Sequence, residues 1–80
     1  PWVQADLSTD DGRNATAAAA AGFGANVVVH AAGVPGFGTL SALPPERLEA
    51  IVATNLVAPM RLTQALLPGL LRQPRAQIVF

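Results

Sequence analysis

The stretch Val27–Gly33 limits most strongly what this chain can fold into. A run of valines without polar alternation predicts a strand buried on both faces, as in a parallel sheet. The run ends at His30, and only the small residues Ala31, Ala32 and Gly33 follow it. Ligands of open α/β sheets bind outside the carboxyl ends of the strands. We therefore expect a flat ligand to approach the bare main chain at the end of this strand.

The composition excludes several classes of protein. Hydrophobic residues make up 51% and charged residues 12%, which is too apolar for a disordered chain and favours burial in a larger unit. The net charge is zero, so neither nucleic acid nor a membrane is expected as a partner. The chain has no cysteine and only one histidine, so no metal site is predicted. We recognise no signal peptide, and the cytoplasm is the default expectation.

Hydrophobic periodicity and helix signals predict the order β-α-β-α-β, which is typical of a parallel α/β sheet. The first helix is expected to begin at a cap on Ser8 or Thr9 and to end at the glycines that flank Phe23. The second is expected to begin at Pro44–Pro45 and to carry a leucine-rich stripe. The three predicted strands are Trp2–Ala5, Val27–Ala31 and Gln77–Phe80.

Two polar residues lie where chemistry could use them. Asp6 follows the first predicted strand, where it could cap the next helix or accept a hydrogen bond from an adenine amino group. Asn55 lies inside the apolar stripe of the second helix, where an amide costs stability unless it is paired. Pro59 has no N–H to offer the Asn55 carbonyl. Asn55 is therefore either a solvated amide at a proline kink or a functional group with an available side chain and carbonyl.

In their order and spacing these segments resemble the short-chain dehydrogenase/reductase family. The resemblance spans nearly all 80 residues and implies a Rossmann fold. Residues 1–80 would form the central part of one dinucleotide-binding domain, incomplete at both ends, with a β-α-β-α-β portion of its doubly wound parallel sheet. The matching segments are Ala5-Asp6-Leu7, Val27–Gly33, Thr54-Asn55-Leu56, Ala58-Pro59 and Leu62-Thr63.

The resemblance also implies roles for individual residues. Asn55 matches the helix asparagine of the family's Asn-Ser-Tyr-Lys tetrad, whose main-chain carbonyl holds a water of the proton relay. The family usually has Asn-Asn-Ala-Gly where this chain has His-Ala-Ala-Gly. The implied cofactor-binding residues are Asp6 and Leu7 at the adenine, and His30, Ala31, Ala32 and Gly33 at the ribose.

The activity implied by the resemblance is hydride transfer between NAD or NADP and a carbonyl or alcohol substrate. The chain contains neither tyrosine nor lysine, so the family's Tyr-x-x-x-Lys pair would have to lie outside it. The alternatives are a non-catalytic dinucleotide sensor, a structural relative, or a ketoreductase domain of a larger synthase. The last shares His-Ala-Ala-Gly but usually lacks an asparagine equivalent to Asn55. The expected partners are a small-molecule substrate and further copies of the chain, forming a homodimer or homotetramer through the second helix.

Overall fold

A computed structural model of the chain describes residues 2–80. A short strand lies between two helices in the chain. The second helix leads to another strand, and the two strands pair in parallel. Val28 lies opposite Ile78 at the centre of this pairing. The elements are α1 (Asp10–Phe23), β1 (Val27–Val29), a 3-10 turn (Leu40–Ala42), α2 (Pro45–Val52), a π-helical turn (Ala53–Val57), α3 (Ala58–Leu71) and β2 (Gln77–Val79).

Helix α1 begins and ends where local signals place its boundaries. The Thr9 hydroxyl accepts a hydrogen bond from the Gly12 N–H at 3.0 Å, which confirms Thr9 as the N-cap. Asp10 and Asp11 lie in the first turn, where negative charge is favourable. At the other end Gly24 adopts a left-handed conformation with φ of 75°, and its N–H donates to carbonyls of the last turn. The prediction of a glycine stop is therefore confirmed.

Helices α2 and α3 are joined through the π turn, so that Pro45–Leu71 is helical throughout. Pro44 is the N-cap, as expected from the proline pair. In the π turn the Ala58 N–H donates to the carbonyl of Ala53, five residues back instead of four. Pro59, which follows directly, has no N–H for a regular helical hydrogen bond. A kink at this proline belongs to one of the two sequence interpretations of Asn55, and the structure shows one additional residue in the helical turn that precedes Pro59.

The hydrophobic core lies between α1, α3 and one face of the sheet. Leu62, Leu66 and Leu70 of α3 are buried and pack against a set of partly buried residues from the other elements, namely Leu7, Ala17, Ala20, Val28 and Ile78. The opposite face of β1 carries Val27 and Val29, which are 55% and 63% exposed. The prediction that β1 is buried on both faces is therefore wrong for residues 2–80, because both helices lie on the same side of the sheet.

The strand predicted at Trp2–Ala5 is not formed either. A strand needs a neighbour that satisfies its backbone N–H and C=O groups. The sheet described for residues 2–80 pairs β1 with β2, and Trp2–Ala5 joins neither of them. The two observed strands also end at Val29 and Val79, before the predicted Ala31 and Phe80. Of the predicted order β-α-β-α-β, the structure thus shows the part from the first helix onward.

The continuous helix Pro45–Leu71 is long and apolar enough to cross a membrane by length and composition. It has 27 residues, and its most apolar stretch has a mean hydropathy of 1.3. The core helix of a globular domain has the same properties, and α3 packs through its leucines against α1 and the sheet. We interpret the α3 part as such a core helix, whereas α2 has no buried residue, and the absence of a membrane partner stays a prediction.

Candidate functional site

A cavity of about 380 Å³ extends along β1 and reaches Ala31 and Ala32 at its carboxyl end. Small side chains form this edge, since Ala31 and Ala32 are exposed and Gly33 follows them. The α2–α3 helix contributes Thr54 and Pro59 from the opposite side of the cavity. A flat ligand could therefore contact the main chain of residues 31–33 directly.

Asn55 holds the main chain that leaves this edge. Its side-chain Oδ1 accepts a hydrogen bond from the Val34 N–H at 2.8 Å, and its Nδ2 donates to the Val34 carbonyl at 2.9 Å. One amide thus satisfies both backbone groups of Val34, as a neighbouring strand would. A Cβ on Gly33 would lie 3.2 Å from Asn55 Oδ1, so the missing side chain lets the loop lie close to the amide.

These bonds correct one part of the sequence interpretation of Asn55. The side chain is exposed, but both of its polar atoms bind the main chain of Val34 and are therefore not available to a ligand. Pro59 has no N–H to donate to the Asn55 carbonyl, and the availability of this carbonyl for a water stays a prediction. Val34 itself was not singled out by sequence, since no local pattern shows which loop residue an amide 21 residues away will bind.

His30 is turned toward the helix and the neighbouring strand. Its Nε2 lies 2.9 Å from the Thr63 hydroxyl of α3, and its ring stacks on Phe80 with centroids 4.9 Å apart. Its backbone N–H donates to the Val79 carbonyl at 2.8 Å. Burial lowers the pKa of His30, which favours the neutral ring at neutral pH. The imidazole therefore contacts α3 and the residue that follows β2. A contact of residue 30 with a ribose stays a prediction, and its main chain could make that contact.

Asp6 and Leu7 make structural contacts in the turn before α1. Asp6 Oδ1 accepts from the Ser8 hydroxyl at 2.6 Å and from the Ser8 N–H at 2.9 Å, and these two bonds hold the pKa of Asp6 below its ordinary value. The Asp6 carboxylate thus closes the turn, while Thr9 caps the helix. The Leu7 side chain packs against the core, and its carbonyl accepts from Arg13 Nη1 at 2.8 Å.

The structure brings most of the predicted site residues to one place. Leu7, His30, Ala31 and Ala32 line the same cavity, and Asn55 adjoins the loop at Gly33. Asp6 is not among the residues that line the cavity, so its contact with an adenine stays a prediction. Sequence reasoning did not find the partner of His30, although Thr63 lies one helical turn beyond Pro59 on α3.

A comparison with known proteins supplies the family. The family model of short chain dehydrogenase matches residues 2–80. The chain belongs to the short-chain dehydrogenase family. Membership implies a Rossmann-like α/β fold, in agreement with the parallel strands and the helices packed on them, and it supports an oxidoreductase function. No curated protein and no solved structure matches the chain.

Proposed function

We propose that this short-chain dehydrogenase segment serves an NAD(P)-dependent oxidoreductase that acts on a carbonyl or alcohol carbon. The observation that carries the proposal is the bare edge at residues 31–33, with the Asn55 amide fixed directly beside it. The match to the family over nearly the whole chain supports the same chemistry.

The residues of this edge fit a dinucleotide. Ala31 and Ala32 present only methyl groups, and Gly33 has none, so a ribose could reach backbone N–H and C=O groups there. A larger residue at Gly33 would approach Asn55 Oδ1 and disturb its bonds to Val34. Bound nicotinamide would supply or accept the hydride, while this chain holds the sugar through its main chain.

Asn55 has two separate parts in this proposal. Its amide fixes the loop at Val34, and its carbonyl, which receives no hydrogen bond from Pro59, would accept one from a water beside the substrate. The tyrosine and lysine that would move the proton are not among these 80 residues, so we assign them to a longer polypeptide that contains this segment.

The proposal is tested by titrating the complete protein with NADH and NADPH and then assaying turnover with a panel of ketones and secondary alcohols. Nicotinamide fluorescence reports binding, and absorbance at the reduced nicotinamide band reports turnover. Binding with turnover is the expected result. Binding without turnover on any substrate would favour the non-catalytic sensor instead. Absence of binding to either cofactor would contradict both functions.

An exposed apolar stripe supports the proposed homodimer or homotetramer. Its residues are exposed along the α2–α3 helix, whereas Leu62 and Leu66 of the same helix are buried. Monomeric proteins rarely leave contiguous apolar surface of this kind uncovered. A two-fold interface would place the stripe of one copy against that of another. The stripe consists of Leu48, Val52, Leu56, Met60, Leu67 and Leu71.

We expect Met60→Glu to lower the mass of the assembly in solution. Met60 is 58% exposed near the middle of the stripe, so a charge there would be buried without a partner in a helix-to-helix interface. Leu40→Glu is the matched control, because Leu40 is 75% exposed outside the stripe. Light scattering of the complete protein after gel filtration measures the mass. A mass that Met60→Glu leaves unchanged would place the interface elsewhere.

A further inference from the structure

The loop after Gly33 is held by one face of the α2–π helix. Arg47, Ile51 and Asn55 follow one another at intervals of four, and they contact the three consecutive residues Val34–Gly36. Side chains four apart share a helix face, although in a regular α-helix each step of four advances by about 40°. The wider π turn brings Asn55 back toward the line of the other two. We call Arg47, Ile51 and Asn55 the loop-holding face.

The Arg47 guanidinium fixes the middle of this segment. Its Nη2 donates to the carbonyl of Pro35. Hydrogen bonds from a charged donor are stronger than those between neutral groups. Pro35 has no N–H and a fixed φ, so its carbonyl is the one backbone polar group through which a side chain can hold it. Arg47 thus acts on a stiff residue whose neighbour, Val34, is already bound by Asn55.

Ile51 packs where a side chain of residue 36 would lie. A Cβ built on Gly36 would overlap Ile51 Cδ1 and come within 3.4 Å of its Cγ1. Gly36 does not need a positive φ, because the glycines with positive φ among residues 2–80 are Gly24 and Gly38; its missing side chain instead leaves room for the terminal Cδ1 methyl of Ile51. Alanine could therefore adopt this backbone conformation if the Ile51 methyl were displaced or the isoleucine were shortened.

We propose that Arg47 and Ile51 are positioning residues of the candidate site, which together with Asn55 fix the path of the chain that leaves Gly33. The proposal rests on the proposed function, because the edge they fix is the one assigned to the cofactor. Arg47 binds Pro35 and Ile51 contacts Gly36, so both act on the edge through the segment that follows it.

The steric part is tested by a double-mutant cycle in the complete protein with Gly36→Ala, Ile51→Ala and the two combined. Hydrogen exchange of the Val34 amide, measured by NMR, reports its bond to Asn55 independently of activity. We expect Gly36→Ala to accelerate exchange about tenfold and Ile51→Ala to restore it in the double variant. The KM for the nicotinamide cofactor should rise and recover in parallel, with a smaller change in kcat.

The polar part is tested by Arg47→Gln, which removes the charge, and by Arg47→Lys, which keeps a charged donor. We expect Arg47→Gln to accelerate Val34 exchange and Arg47→Lys to recover part of the protection. Arg75→Gln is the control, since Arg75 is exposed in the loop before β2.

Two results would overturn the assignment: Val34 exchange that Gly36→Ala leaves unchanged, or a double variant that stays as fast as Gly36→Ala alone. If the protein showed the expected exchange pattern but bound neither NADH nor NADPH, the proposed function would be contradicted. The assignment of Arg47 and Ile51 as residues that hold the loop would remain supported.

Discussion

Replacing Asn55 by alanine in the complete protein should lower kcat about 100-fold, the loss typical of a catalytic geometry displaced by about 1 Å. The amide makes two hydrogen bonds to Val34, so its removal releases the loop beside the bare edge. The Asn55 carbonyl loses its fixed position at the same time. Cofactor affinity should fall less, by about tenfold, because the main chain at residues 31–33 keeps its contacts.

Two further variants make the Asn55 experiment specific. Asn55→Asp keeps the shape but turns an acceptor toward the Val34 carbonyl, so we expect a kcat as low as that of the alanine variant. Asn14→Ala is the matched control, because Asn14 is exposed on α1. Steady-state kinetics give kcat, and a cofactor titration gives the dissociation constant of the cofactor. A kcat that Asn55→Ala does not change would remove Asn55 from the mechanism.

Gly12→Ala should destabilise the protein, although alanine is the better helix former. A Cβ at Gly12 would overlap the Asp6 carbonyl oxygen and lie 2.6 Å from its carbonyl carbon. The Asp6 carbonyl cannot easily retreat, since the Thr9 N–H and hydroxyl both donate to it. We expect the free energy of unfolding to fall by about 1 to 3 kcal/mol, as for other overpacked sites.

Gly22→Ala provides the opposite case in the same helix. Nothing lies within 4 Å of a Cβ at Gly22, so the gain in helix propensity is not offset by a clash. We expect this variant to be more stable by up to about 1 kcal/mol. Urea unfolding of the complete protein, followed by circular dichroism, measures both changes. If Gly12→Ala proved as stable as Gly22→Ala, the Asp6 carbonyl would not be in close contact with α1 at Gly12.

The sequence predicts the features that neighbouring residues determine. Thr9 and Gly24 mark the ends of α1 through the conformations and hydrogen bonds of a few adjacent residues. The run of valines indicates a strand, and Pro59 indicates that one carbonyl of the second helix lacks its usual donor. Each of these features depends on residues that lie within one or two helical turns of one another along the chain. Their interactions can therefore be inferred from a single sequence.

Features that depend on distant segments could not be predicted in the same way. The strand expected at Trp2–Ala5 has the right composition, but its formation depends on a partner that the described sheet does not offer it. The partners of Asn55 and His30 lie 21 and 33 residues away along the chain. An amide within an apolar helix stripe or an imidazole at a strand end predicts that some partner exists, whereas the identity of that partner follows only from how the loop and helix pack.

The π turn offsets the helical register of α3 from that of α2. Before it, Arg47 and Ile51 contact the loop, and after it, Leu62 and Leu66 pack in the core. Deleting one residue from Ala53–Val57 would remove this offset and rotate one of the two faces by about 100° away from the loop or the core that it contacts. Substitutions can change either face alone, so this helix should accept many exchanges of side chains but hardly any change of length.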